Sequence, residues 1–226
     1  MNQHQKAGRY LTRFILFIAG LFILSLGVVI MMQAGLGVNS WDVLHIGLTQ
    51  MTSLSMGTWV QIVGIIVIAL TCYLERKFPS VGTVLNIVLI GFFINWILSL
   101  HIITSLHNFW LNLIMLIFGI VLMGFGAGMY VASGLGAGPR DGLTLVLSDR
   151  LGWSISRVRT MLEGIALFLG WLVHGPIFIG TLLSVFLIGP VMQVSLLFWR
   201  KQLVPSVAKP TKLQKVASIK AAARRS

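Results

Sequence analysis

Asp42 and Asp141 each stand five residues past a Gly-Leu-Gly triplet, Gly35-Leu36-Gly37 in one case and Gly134-Leu135-Gly136 in the other. The chain has only five acids among 226 residues, so a carboxylate set twice in one frame is a candidate for chemistry. Paired glycines can turn a chain at the end of an apolar run. The residues after each triplet read as a helix start, with Pro139 at a first helical position and Ser40 in the equivalent place as a cap. An acid in that first turn complements the positive end of the helix dipole, a role that needs no ligand. The functional alternative is a half-helix dipping into an apolar medium, its N-terminus and Asp lining a cavity for an ion or polar solute. Arg140 precedes Asp141, whereas Trp41 precedes Asp42. The second site can therefore hold a partly neutralised ion pair, and the first has no basic neighbour in sequence.

Glu163 is the other candidate, a carboxylate inside an apolar stretch. Such acids are costly, so they mark a function or a specific partner. Arg159, four residues earlier on the same helix face, could be that partner; a proton or cation site is the alternative. Asn86 and Asn95 are nine residues apart and face opposite sides of one helix, with interhelical packing their commoner use. Gly124 and Gly128 form a GxxxG contact signal, and Pro190 should kink or break its helix. His45 lies three residues from Asp42, while His101, His107 and His174 join it on one predicted side with nothing to make them converge on a metal. No HExxH, Walker A loop, GxSxG or cysteine pair occurs. No enzyme, cofactor or metal is expected.

These residues sit in a chain that is 57% hydrophobic and 10% charged, far below the roughly 25% charge of a soluble domain. The expected class is an all-α polytopic membrane protein. Six transmembrane helices are read at 14–34, 57–74, 81–100, 109–132, 155–173 and 178–199, each near the roughly 20 residues a span needs. The fifth is weakest because Arg157, Arg159 and Glu163 crowd its start. The stretches at 41–52 and 141–152 would be helices about 18 Å long, too short to span. The first apolar run is too long for a signal peptide and is retained. With the N-terminus inside, all 17 Lys and Arg fall on one side, as the positive-inside rule requires. Both termini are then cytoplasmic, and the +12 net charge calls for a lipid bilayer and no nucleic acid. Trp41, Trp59, Trp96, Trp110 and Trp171 fall near outer ends; Tyr10, Tyr73, Tyr130, Trp153 and Trp199 fall near inner ends. The single Cys72 permits no internal disulfide.

The chain also repeats itself. The Gly-Leu-Gly-Asp element recurs 99 residues on, and Gly82-Thr83-Val84-Leu85 recurs 98 residues on as Gly180-Thr181-Leu182-Leu183. Ile18, Gly20 and Gly27 pair with Ile117, Gly119 and Gly126; Asn86 pairs with Ser184, Asn95 with Gln193 and Glu163 with Gly64. The expected organisation is a cytoplasmic N-terminus at 1–10, one three-span repeat at 11–103, a second at 107–200 and a basic tail at 201–226. Three spans per half is an odd number, so the second repeat is inverted, with its Gly-Leu-Gly element facing the cytoplasm and that of the first facing out. Within the tail, Leu213, Val216 and Ile219 recur at helical spacing among lysines. That pattern fits a basic amphipathic helix on the inner leaflet or a plain polar tail.

The strings GLGVNSWDVLHIGL, FPSVGTVLNIVLIG, GLGAGPRDGLTLVLSDRLGWSISRVRTMLE and IGTLLSVFLIGP resemble the YczE/YyaS/YitT family of bacterial integral membrane proteins, most closely its YczE branch. The resemblance covers nearly everything but the tail. It implies a bacterial cytoplasmic-membrane location and carries over no catalytic residue. The expected function is a small-solute or ion transporter with its site between the repeats. Asp42, Asp141, Glu163 and Arg140 would bind, Gly35, Gly37, Gly134 and Gly136 would hinge, and the small chain would act as a homodimer. The alternative is a non-transporting accessory or assembly factor, with a cytoplasmic protein partner held by Arg140, Arg150, Arg157, Arg159 and the tail.

Overall fold

Helix starts lie just after the polar residues that can cap them. Ser55, Ser80, Asn108 and Ser154 each accept a hydrogen bond from a first-turn amide, opening the helices Met56–Glu75, Val81–Ser99, Phe109–Ser133 and Ile155–Leu172. The computed structural model describes residues 3–136 and 138–203, so the basic tail and its amphipathic pattern lie outside the described residues. The eight helices are, in order, α1 Gln3–Ala34, α2 Ser40–Met51, α3 Met56–Glu75, α4 Val81–Ser99, α5 Phe109–Ser133, α6 Pro139–Leu151, α7 Ile155–Leu172 and α8 Ile179–Leu203. The chain is a polytopic helical membrane protein. Five helices, α1 from Tyr10 on, α3, α4, α5 and α8, are long and apolar enough to cross a membrane. The fifth expected span is helical as α7, but Arg157, Arg159 and Glu163 within its 18 residues set it apart from those five. Large apolar side chains such as Ile65, Phe92, Ile114, Phe118 and Phe186 point outward, as lipid-facing surfaces allow.

α1 and α5 cross at the centre, where Phe17, Leu21, Met31, Leu116 and Ile120 are fully buried. Glycine permits that crossing. A Cβ added to Gly20 would sit 2.9 Å from the Gly126 carbonyl, and one on Gly27 would sit 2.7 Å from that of Gly119. The earlier glycine of one helix thus meets the later glycine of the other. α5 packs equally closely on α8. Gly124 lies against Ile188 and Val191, Gly128 lies against Met192 and Leu196, and Ser195 Oγ donates to the Phe125 carbonyl at 2.7 Å. The GxxxG contact forms as expected. Of the kink or break expected at Pro190, the break does not occur, because α8 runs unbroken from Ile179 to Leu203. One proline removes a single backbone donor, and α5 holds the helix on both sides of it.

Each Gly-Leu-Gly turn is braced by the other half of the chain. The Gly180 amide donates to the Leu36 carbonyl at 2.7 Å, and Gly37, at φ 108°, leaves no room for a Cβ beside Thr181. Correspondingly, Gly82 abuts the Leu135 carbonyl, and Gly136 lies against the backbone of Gly82 and Thr83. Gly35 and Gly134 adopt left-handed φ values of 66° and 69°. Gly136 does not, and its contribution is close approach. The half-helices trade sides too, since α2 packs on α7 and α6 on α3. One contact is unequal. α3 and α4 pack tightly, with Gly57 against Gly91 and Gly64 against Ile87, and the Gly57 amide donates to Asn95 Oδ1 at 3.0 Å. Among the described residues α7 and α8 form no such packed pair, and a Cβ on Gly164 or Gly189 would meet nothing within 4 Å.

Candidate functional site

α2 and α6 begin without the side-chain caps that α3, α4, α5 and α7 carry. Asn39 and Gly138 stand at their N-cap positions, and neither start has a side-chain cap hydrogen bond. Ser40, expected to cap, is instead the first helical residue, and its buried Oγ has no partner. Pro139 takes its first-turn place as expected. The two helix starts face one cavity of about 450 Å³, which all four candidate binding residues line: Asp42, Arg140, Asp141 and Glu163. Elements expected on opposite faces of a membrane thus contribute to a single chamber.

The side chains are held from several elements. Asp42, 3% exposed, accepts from His45 Nδ1 at 3.4 Å across one turn of α2. No Lys or Arg lies within 4 Å of a carboxylate among the described residues, and this histidine contact is the one at that range. Asp141 Oδ2 accepts from the Tyr130 hydroxyl of α5 at 3.2 Å. Gly138 makes room for that hydroxyl, which would lie 2.8 Å from an added Cβ. The Arg140 guanidinium sits 4.8 Å over the Trp41 ring, a contact of order 0.5–2 kcal/mol. The residues that distinguish the two motifs in sequence therefore touch in space. The Arg140–Asp141 pair does not form. Neither does Arg159–Glu163: both line the cavity, but Glu163 Oε2 is buried without a partner. Helical spacing can bring side chains to one face without fixing their rotamers, and Arg140 turns onto Trp41.

Asn86 is 2% exposed, lines the cavity, and leaves its Nδ2 unpaired. A buried donor left so costs about 1–3 kcal/mol. Asn95 packs α4 on α3, so the two asparagines do face different surroundings. Sequence reasoning assigns Asn86 to packing and places Trp41 and Tyr130 at membrane interfaces. Trp41 and Tyr130 are instead 7% and 6% exposed and line the cavity. The interfacial preference describes rings on spans, and Trp41 rides on a half-helix. Tyr10, Tyr73, Trp96, Trp110, Trp153 and Trp171 are exposed. A usable signal for the missed residues is the repeat itself, because Asn86 and its counterpart Ser184 both line the cavity, as do Glu163 and its counterpart Gly64. His101, His107 and His174 are exposed whereas His45 is buried, and among the described residues no three His, Cys, Asp or Glu side chains gather as metal ligands. Arg150 is hydrogen-bonded to the Leu74 carbonyl.

Comparison with known proteins places these features in context. Residues 11–196 match a family of unknown function, DUF6198. The chain is 38% identical to the uncharacterised membrane protein YczE of Bacillus subtilis, over 81% of this chain and 85% of YczE. It is 32% identical to YyaS of the same organism, over 77% of this chain and 88% of YyaS. An uncharacterised protein of Haemophilus influenzae is 34% identical over 82% of this chain and 83% of its own length. No solved structure matches.

Proposed function

Because the chain belongs to the DUF6198 family, with a membrane protein among its relatives, we propose that it is a small-solute or ion transporter of the bacterial cytoplasmic membrane. It has six spans arranged as two inverted three-span repeats, α7 being the fifth span, and both termini are cytoplasmic. The observation that carries this reading is the cavity where the starts of α2 and α6 meet, lined by Asp42, Arg140, Asp141 and Glu163. Helix starts converging on a chamber between inverted repeats are a recurrent way to hold a polar solute inside a membrane. The reciprocal bracing of Leu36 by Gly180 and of Leu135 by Gly82 supports the inversion, as does the antiparallel glycine pairing of α1 with α5.

The inequality between the repeats supports movement. The cavity is closed between α3 and α4 and opens between α7 and α8, where Thr160, Gly164, Phe186 and Gly189 are both exposed and cavity-lining. Exchanging the two arrangements closes α7 on α8 and opens α3 from α4, which is alternating access by repeat swapping. Arg140 and Arg159 face the cavity and Arg150 is hydrogen-bonded to α3, which weakens the case for a basic docking face built on those arginines.

The test replaces Cys72 with Ser and introduces Thr160→Cys or Gln61→Cys, the equivalent positions of α7 and α3. An impermeant thiol reagent is applied to each side of oriented vesicles, with and without a proton gradient. Thr160→Cys should react from the cytoplasmic side and Gln61→Cys from the outer side, one gaining as the other loses. Fixed reactivity of Thr160→Cys with permanent protection of Gln61→Cys would rule out alternating access.

A further inference from the structure

The cavity's unmatched groups are of two chemical kinds, on different walls. On one side are donors. The 12-residue α2 and the 13-residue α6 both start there uncapped, presenting backbone N–H groups and the positive ends of their dipoles. Beside them, Ser40 Oγ and Asn86 Nδ2 are buried without a partner, their residues 1% and 2% exposed. The Arg140 guanidinium lies on Trp41, with no carboxylate of the described residues within 4 Å. The first-turn acids bond elsewhere, Asp42 to His45 and Asp141 to Tyr130, and reach neither Ser40 Oγ nor Asn86 Nδ2. On the α7 wall is the opposite need: Glu163 Oε2, an acceptor, is buried and unpaired.

We propose that the solute is a small zwitterion, with a carboxylate held at the facing starts of α2 and α6 and an ammonium held at Glu163. The proposal rests on the transport reading above and specifies its substrate class. A simple anion would match the donors but leave Glu163 unpaired, and would add a further negative charge beside Asp42, Asp141 and Glu163. A simple cation would match Glu163 but leave Asn86, Ser40 and both helix starts unsatisfied. A zwitterion meets both demands. Val60, Ile87, Ile94 and Met123 also line the cavity, so the uncharged part of the solute is hydrocarbon. The volume of about 450 Å³ admits a molecule of amino-acid size with room to spare.

The experiment uses the full chain in lipid nanodiscs and measures equilibrium binding of leucine against its two half-molecules. These are 4-methylpentanoate, which lacks the amine, and 3-methylbutylamine, which lacks the carboxylate. Leucine should bind at least tenfold more tightly than either. In Glu163→Gln the advantage of leucine over 4-methylpentanoate should disappear, while in Asn86→Leu leucine should lose its advantage over 3-methylbutylamine. The half-molecule comparison on the unaltered chain does not depend on either variant folding. The proposal is overturned if 4-methylpentanoate equals leucine, which makes the site an anion site. It is overturned equally if the amine equals leucine, or if none of the three binds up to about 10 mM, a very weak affinity. Cysteine exchange at Thr160 and Gln61 needs no solute, so its success alongside failed leucine binding would leave transport standing and remove only the zwitterion.

Discussion

Asn86 carries an unusual energetic burden for a residue inside a helical bundle. Its amide nitrogen is buried and unpaired, so the fold bears a desolvation cost that an apolar side chain would not. Asn86→Leu should leave thermal stability in detergent unchanged or raise it by about 1 kcal/mol. A loss of more than that would show that the amide has a structural partner and no spare donor for a ligand. This role is only half legible in the sequence. The nine-residue spacing separates Asn86 from Asn95 correctly, but nothing local says which of the two faces a chamber. Trp41 shows the same limit: its contact with Arg140 joins residues 99 positions apart, and no pattern within either motif announces it. Asp42 and Asp141 stand out because a repeated acid is a sequence property. Their partners are unevenly legible, since His45 lies on the same helix as Asp42 and Tyr130 lies on a different one from Asp141.

At the level of helices, the close crossings make glycine substitutions unequal. On Gly27 a side chain must displace the backbone of α5. Gly27→Leu should therefore destabilise by about 3 kcal/mol, the upper end for overpacking, and show as a fall in unfolding temperature and in recovered protein. Gly189 is the reverse case. It faces open space, while Gly91, its counterpart 98 residues earlier, is pressed against Gly57 and Gln61. Gly189→Leu should leave the fold and its unfolding temperature intact yet arrest the exchange of thiol reactivity between Thr160→Cys and Gln61→Cys. A Gly189→Leu chain that still exchanges would show that α7 never closes on α8. The half-helices themselves are legible, because Gly-Leu-Gly ends one helix and a proline or a polar residue starts the next within five residues. Their convergence is not, because direction in space depends on packing against α3 and α7, which sequence spacing does not encode. Pro190 is half legible for a related reason: whether a proline breaks its helix depends on what grips it, and here α5 grips both sides.

For the molecule as a whole, reciprocal bracing means that neither half contains its own completed site. Residues 1–105 and 106–226 expressed as separate chains should each be digested by protease in membranes, and co-expression should restore protection of both. Protection of either piece alone would show that the bracing is dispensable. The recurring motifs are plain in the sequence, whereas the gap between α7 and α8 is not, since similar motifs give no hint that the helices around them stand in different arrangements. The bracing also sets a timetable for synthesis. The carbonyl of Leu36 is held by the amide of Gly180, 144 residues later in the chain (180 − 36). At 5–20 residues per second, roughly 7–30 s separate the two on the ribosome. During that interval the first three spans have entered the bilayer with their turn unfastened and their chamber missing a wall. The nascent protein is therefore exposed, for longer than helices need to form, to whatever quality control recognises a half-built bundle. A slow stretch of translation after the first repeat would lengthen that exposure without altering a single residue of the product.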